Sequence, residues 1–244
     1  MTHPITFMWS VPRSVSTSFE RMMSARGDHE VFDEPFSQRY YFSPERRSSR
    51  FDKTLPRSTA AELLEDIEAA ARQRPVFVKD MAYQATDLLE PSLLERFRNC
   101  FLVRDPAATL RSLEGHWPDF TDEETGLEAL GRAADVVEKI GQPLVVVEAA
   151  SLCEDPGGVV SAWCEAVGLP FIEEALSWDP GMRPEWALWG EWHQSTTQST
   201  GFQDLGDPPP APTRDEPRMF RAHQEALPVY ERLAAHAISG SRGQ

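Results

Sequence analysis

Short apolar runs alternate with helix-forming stretches along most of this chain. The runs that resemble strands are residues 5–11, 30–33, 76–80, 99–105 and 143–149. Strands that alternate with helices usually pair side by side in one direction. The order therefore predicts an α/β fold of three layers, with a central, mostly parallel sheet flanked by helices.

Helical patterns fill the intervals between these runs. They predict helices at residues 14–26, 58–73, 92–98, 106–115, 125–140 and 155–168, and a last helix at 219–238. Ser58 or Thr59 is expected to cap the second helix, because a short hydroxyl side chain precedes the apolar pattern.

The pattern weakens after Pro170. Residues 172–218 contain four tryptophans and the run DPPPAPTRDEP, whose prolines prevent a continuous strand or helix. We expect a single domain over residues 1–244. Its predicted parts are an α/β core at 1–171, a lid or flap at 172–218, and a C-terminal helix and tail at 219–244.

Charge and composition exclude some classes of partner. The 244 residues include 24 Lys and Arg against 39 Asp and Glu, a formal net charge of −15 that would repel a phosphate-coated polymer. No nucleic acid partner is therefore expected. No apolar run is long enough to span a bilayer and no signal peptide is recognisable, so a cytoplasmic location is expected. The three cysteines lack metal-ligand spacing, and the oligomeric state is not indicated.

The stretch MWSVPRSVSTSF predicts an anion site. A strand that ends at Val11 and a helix that begins near Ser14 leave the first backbone N–H groups of that helix unpaired at the loop. Arg13 adds a fixed positive charge and a planar fork of donors. The predicted site comprises Pro12, Arg13, Ser14, Val15, Ser16, Thr17 and Ser18. Alternatively, Ser14 only caps the helix and Arg13 pairs with an acid.

This loop differs from the phosphate loop of nucleotide kinases and ATPases. Those proteins need the pattern G-x-x-x-x-G-K-[ST], and no glycine or lysine lies between Met8 and Met23. A magnesium nucleotide site is therefore disfavoured.

A second stretch, FLVRDPAATLRSL, places a basic and a hydroxyl residue near another strand end. Arg104 follows the apolar run, Pro106 opens a helix, and Ser112 lies on that helix eight residues after the arginine. Ligands of open α/β sheets bind beyond the carboxyl ends of the strands. Both stretches are therefore expected at one edge, where Arg104 and Ser112 could reach a single anion.

These stretches resemble the sulfotransferases. PRSVSTSF is similar to their 5′-phosphosulfate loop, with Val15 at the usual glycine and Arg13 at the usual lysine. VRDPAATLRSL resembles their 3′-phosphate motif, and residues 145–171 resemble the strand, acidic turn and helix that end in Gly-Leu-Pro-Phe. The resemblance implies a P-loop-like fold. It also implies 3′-phosphoadenosine 5′-phosphosulfate (PAPS) as donor, 3′-phosphoadenosine 5′-phosphate (PAP) as product, and no metal requirement.

Sulfuryl transfer needs positive charge at the leaving oxygen and a base for the acceptor proton. Arg13 would supply charge, and Lys79, at the end of its run, could add a second charge or instead pair with Asp80 or Glu34. The catalytic histidine of the animal cytosolic enzymes has no counterpart after Lys79. Glu34 in VFDEPF is the predicted base, because some related sulfotransferases use a glutamate in this region. The alternative bases are Asp33, His116 and His193.

The sequence therefore predicts a sulfotransferase that acts on a hydroxyl or amine of a small-molecule acceptor. Aromatic residues at 186–202 and 38–45 favour an apolar or aromatic acceptor. The alternative is a non-catalytic nucleotide-binding or partner-recruiting member of the same fold.

Overall fold

A sheet of five parallel strands forms the centre of the protein. The computed structural model describes residues 2–240, apart from the side chains of residues 185, 191 and 193–195. The strands are β1 (Ile5–Ser10), β2 (Glu30–Asp33), β3 (Val76–Met81), β4 (Arg98–Val103) and β5 (Val145–Glu148). Their spatial order is β2-β3-β1-β4-β5. This confirms the predicted α/β class.

Helices connect and cover the strands. They are α1 (Ser16–Arg26), α2 (Pro35–Phe42), α3 (Ala60–Ala71), α4 (Pro91–Leu94), α5 (Pro106–His116), α6 (Leu127–Lys139), α7 (Ala149–Glu154), α8 (Pro156–Val167), α9 (Gln194–Gln198) and α10 (Pro217–Ala234). A 3₁₀ segment, Ala82–Leu88, directly follows β3. Thr59 and Glu62 form a reciprocal capping box on α3, which satisfies two backbone donors. Of the two expected caps, Ser58 and Thr59, the structure therefore shows Thr59.

The strand order creates a switch point at the carboxyl end of β1. The chain leaves β1 toward one side of the sheet, which holds β2 and β3, and later fills the other side with β4 and β5. The connections after β1 and β4 therefore diverge and leave a crevice between them. The two predicted anion motifs follow β1 and β4, so both lie at this crevice.

Two apolar layers hold the sheet. Phe7 and Trp9 point from β1 into one layer with Phe36, whereas Met8 points into the other with Phe19. All of these side chains are fully buried. The alternation follows from the two-residue period of a strand, and burial on both faces explains why β1 is apolar at nearly every position.

Within residues 2–171, one predicted helix is shorter in the structure, and two observed helices were not predicted. The helix expected at 92–98 is only the single turn α4, because β4 already begins at Arg98. Helices α2 and α7 were not predicted. Seven of the eight residues of α2 are buried, so its sequence lacks the polar face that reveals a helix. Helix α7 is too short to show a period.

The segment 172–218 crosses the crevice as short 3₁₀ turns, α9 and extended chain. The last helix, α10, ends earlier than the predicted 238. Residues 241–244 of the predicted tail lie outside the described part of the chain. Within the described residues, no helix is both long and apolar enough to traverse a bilayer. All three cysteines are free thiols.

Candidate active site

A cavity of about 370 Å³ opens at the carboxyl edge of β1, β3 and β4. It brings together both anion motifs and the predicted base: its wall includes Pro12, Arg13, Ser14, Val15, Ser16, Thr17, Ser18, Glu34, Arg104 and Ser112. Lys79 does not line it. The remaining wall contains five aromatic residues among polar and aliphatic ones, and it comes mainly from α2, from the end of β3 and the chain after it, from the C-terminal part of α5 and from the segment 172–218.

The loop between β1 and α1 is held in an unusual backbone conformation. Arg13 and Val15 both have φ near +60°, at 62° and 63°. A left-handed conformation is rare for a β-branched residue, and glycine adopts it freely. Val15 therefore keeps the backbone of the glycine that usually occupies this position. Helix α1 begins at Ser16, and Ser14 does not cap it, because its Oγ donates instead to Val11 O at 2.7 Å.

The two anion motifs touch each other at this loop. Arg13 Nε donates to Ser112 Oγ at 2.8 Å, and Arg104 Nη1 donates to the carbonyl of Arg13 at 2.7 Å. Residues separated by about 100 positions thus form one rim, as the strand order requires.

Both guanidinium groups lack a carboxylate partner among the side chains that the structure describes. Burial lowers the pKa of Arg13 and of Arg104, and in Arg13 the nearby charge of Arg104 adds to the effect. The first turn of α1 also carries no acidic residue. Asp105 and Glu148 lie near enough to Arg104 to oppose the effect of burial on its pKa, but neither forms an ion pair with it. Two close positive charges at a helix N-terminus, with no ion pair to a carboxylate among the described side chains, favour an anionic ligand.

Glu34 faces this cavity from the junction of β2 and α2. Its backbone has φ 46°, fixed by a hydrogen bond from Glu34 N to Lys79 O at 2.7 Å. Ser37 Oγ donates to Glu34 O at 2.6 Å. β2 ends at Asp33 and Pro35 opens α2, so Glu34 is the single residue between the strand and the helix.

Lys79 binds the candidate base rather than the cavity. Its Nζ lies 2.6 Å from Glu34 Oε1 and 2.6 Å from Asp33 Oδ1, and the side chain is fully buried. Burial alone would lower the pKa of Lys79, but the two carboxylates raise it above its ordinary value and keep the ammonium charged. The predicted direct contact of Lys79 with a sulfuryl group therefore does not fit this structure. The alternative pairing with Glu34 is observed, joined by Asp33 in place of Asp80.

The other candidate bases occupy different places. Asp33 does not line the cavity and is paired with Lys79. His116 is exposed, does not line the cavity, and lies with Nδ1 2.8 Å from Ser112 O. The side chain of His193 lies outside the described part of the structure. Glu34 is the one of these acids that faces the cavity.

Aromatic and polar residues that the sequence did not identify as a site form the far end of the cavity. Tyr83 and Gln84 follow β3 directly, and Trp117 follows α5. Tyr41 and Trp189, from the two predicted aromatic stretches, complete the wall with ring centroids 5.3 Å apart. Position just beyond a strand end was the available signal for Tyr83 and Gln84.

The segment 172–218 is attached to this site at three points. Trp189 Nε1 donates to Ser37 Oγ at 2.9 Å, and the carbonyl of Trp192 accepts a hydrogen bond from Arg13 Nη1 at 3.4 Å. Trp186 is fully buried, with its Nε1 2.9 Å from Glu20 Oε2. The segment therefore contacts the anion loop and the aromatic end together. In the described part of the chain, no cluster of three or more His, Cys, Asp or Glu is arranged to hold a metal ion.

A family model and a curated relative each match nearly the whole chain. A family model described as a sulfotransferase domain matches residues 5–237. A branched-chain-amino-acid aminotransferase-like protein 1 of Arabidopsis thaliana is 29% identical over 240 residues, covering 96% of this chain and 42% of that protein. This chain thus spans about two fifths of the length of that relative.

Two solved structures share the fold. The sulfotransferase domain of the Synechococcus PCC 7002 olefin synthase has a TM-score of 0.54 and 17% identity, with 92% of this chain and 96% of that one covered. A sulfotransferase from Alicyclobacillus acidocaldarius has a TM-score of 0.51 and 14% identity, with 98% of each chain covered.

Proposed function

This chain belongs to the sulfotransferase domain family, and we propose that it is a sulfotransferase whose donor is PAPS and whose acceptor is a small molecule with a hydroxyl or amine. The observation that supports this donor is the pair of guanidiniums, Arg13 and Arg104, at one cavity rim without a described carboxylate partner. A ligand with two separate anionic groups matches this pair. PAP would be the product.

The donor end follows from the two motifs. We assign the 5′-phosphosulfate to the loop of residues 12–18, where backbone N–H groups, hydroxyls and Arg13 would surround it. We assign the 3′-phosphate to Arg104 and Ser112. The contact between Arg13 and Ser112 supports one shared ligand, because it sets the two anion sites side by side.

Glu34 is the proposed base of the transfer. PAPS supplies a sulfuryl group that is joined to phosphate through a bridging oxygen. Glu34 takes the proton of the acceptor as a new O–S or N–S bond forms and the bond to the bridging oxygen breaks. Arg13 stabilises the charge that develops on the departing phosphate. Lys79 binds Glu34 Oε1 at 2.6 Å from the side away from the cavity, so its role is to hold the base.

The aromatic end is the proposed acceptor site. Tyr41, Tyr83, Trp117 and Trp189 present rings to the cavity. The carboxylate of Glu124, which also lines it, is paired with Arg50 at 2.7 Å. Flat apolar walls with balanced charge favour an uncharged, ring-bearing acceptor, for which a phenol is the simplest probe. The segment 172–218 is proposed as the lid that covers it.

The decisive experiment separates the donor from other nucleotides. PAP at a hundredfold excess over its Kd should raise the melting temperature by about 5–10 °C, because such occupancy stabilises a protein of this size by about 2.7 kcal/mol. Adenosine 5′-phosphate, which lacks the 3′-phosphate, and Mg-ATP serve as controls and should give much smaller shifts. Radiolabelled PAPS with 2-naphthol should then yield the labelled sulfate ester. Equal shifts with PAP and adenosine 5′-phosphate would refute the donor assignment.

A further inference from the structure

A chain of hydrogen bonds joins Glu34 to a second buried carboxylate. Gln84 Nε2 donates to Glu34 Oε2 at 3.3 Å and to the Tyr83 hydroxyl at 3.3 Å. The Tyr83 hydroxyl lies 2.9 Å from that of Tyr41, which donates to Glu124 Oε1 at 3.0 Å. The chain runs along the acceptor end of the cavity, and every member lines it.

The two ends of the chain fix its direction, because ionised carboxylates only accept hydrogen bonds. Burial raises the pKa of both Tyr41 and Tyr83, so each phenol keeps its proton. Tyr41 therefore donates to Glu124, and Tyr83 donates to Tyr41. Gln84 must turn its NH₂ group toward Glu34 and Tyr83, which assigns the orientation of its amide.

The carbonyl half of Gln84 gains nothing from this arrangement. The residue is 2% exposed, and its Oε1 is buried without a hydrogen-bond partner among the described residues. A buried acceptor that has no donor costs stability. An apolar side chain of similar size would avoid that cost but would remove the donor to Glu34 Oε2, so the carbonyl half does not explain a glutamine at this position.

The NH₂ group of Gln84 explains why a glutamine occupies this position. We infer that Gln84 is a positioning residue that holds the Glu34 carboxylate from Oε2, while Lys79 holds Oε1 at 2.6 Å. A carboxylate gripped at both oxygens cannot rotate, so the lone pair that receives the acceptor proton keeps its direction. This inference rests on the proposed function, in which Glu34 is the base.

Gln142 provides a matched control. Its amide is satisfied on both halves: Oε1 accepts from Asn99 Nδ2 at 2.9 Å, and Nε2 donates to Phe97 O at 3.0 Å. It lies beside the start of β4, at the opposite edge of the sheet from the cavity. A purely structural glutamine should behave like Gln142, whereas a positioning glutamine should not.

The test compares Gln84→Leu and Gln84→Met with Gln142→Leu, using PAPS and 2-naphthol. Both Gln84 variants should lose about 10- to 100-fold in kcat, with KM and PAP affinity within about twofold of wild type. Their melting temperature should stay close to that of wild type, because the loss of the hydrogen bond to Glu34 is offset by removal of the unpaired Oε1. Gln142→Leu should melt at a lower temperature and keep its kcat.

Two results would overturn the inference while the proposed function stands: wild-type kcat in both Gln84 variants, or a lowered melting temperature with weakened PAP binding in both. A wild-type protein that binds PAP but transfers no sulfuryl group overturns the proposed function itself.

Discussion

Glu20 should make the stability of this protein depend on pH. It lies on α1, fully buried, where Ser24 Oγ donates to its Oε1 at 2.9 Å and Trp186 Nε1 donates to its Oε2 at 2.9 Å. Burial raises the pKa of Glu20 from its ordinary 4.5 to about 7. Asp33 adds to the effect, and Lys79 opposes it.

The sign of the effect follows from the raised pKa. The folded protein binds a proton at Glu20 in a pH range where the unfolded chain has already released it, so stability is lost as the pH rises from about 4.5 through 7. A tenfold change in proton affinity is worth about 1.4 kcal/mol. The free energy of unfolding should therefore fall by about 2–3 kcal/mol between pH 5 and pH 8 because of Glu20 alone.

Glu20→Gln isolates this contribution, because an amide fills the same space and does not titrate. Urea unfolding of both proteins, followed by tryptophan fluorescence, gives the free energy of unfolding at each pH. The variant should gain about 2–3 kcal/mol relative to wild type from pH 5 to pH 8. Glu165→Gln, an exposed glutamate on α8, is the control and should follow wild type. Parallel curves for wild type and Glu20→Gln would refute the reasoning.

Four other substitutions test the site. Arg104→Ala should weaken PAP binding by about 10- to 100-fold and adenosine 5′-phosphate binding by much less, since Arg104 also holds the carbonyl of Arg13; an undiminished preference for PAP in calorimetry would contradict the 3′-phosphate assignment. Arg13→Ala should lower both PAP affinity and kcat; normal kinetics would reduce the loop to a structural turn. Glu34→Gln should lower kcat by about 10²- to 10⁴-fold at unchanged PAP affinity, and full turnover would exclude it as the base. Lys79→Met should cost about 3–5 kcal/mol of stability in urea, because it leaves two buried carboxylates unpaired; a stable variant would contradict the ion-pair geometry.

The sequence predicted the parts of the site that depend on local patterns. An apolar run followed by Arg13 and hydroxyl residues signals a strand, a loop and a helix within one short stretch. Arg104 and Ser112 give a similar local signal. Their meeting could also be predicted, because parallel strands deliver their following loops to one edge of the sheet. The structure places both motifs on one cavity for that reason.

The role of Lys79 could not be predicted in the same way. All six residues of β3 are buried, so the alternation that separates inward from outward residues is absent from its sequence. The partner of Lys79 is set by strand register, which pairs it with Asp33 on β2. The register between strands more than 40 positions apart is determined by the packing of the whole sheet. The position of Lys79 near a strand end therefore predicted only that it lies near the edge of the sheet, and did not identify its partner.

Backbone strain is the other feature that the sequence concealed. Four non-glycine residues have positive φ in the described chain, and three of them, Arg13, Val15 and Glu34, line the cavity. Each such residue costs about 1–2 kcal/mol and persists only where its surroundings force it. Here the constraint is visible: Arg104 grips the carbonyl of Arg13, and Lys79 O accepts from Glu34 N. The fold thus holds the loop of residues 12–18 and Glu34 in fixed conformations, so a ligand that binds here would not have to order them. A search of the sequence for glycine-rich loops would have found neither segment, because the residues with positive φ are Arg13, Val15 and Glu34.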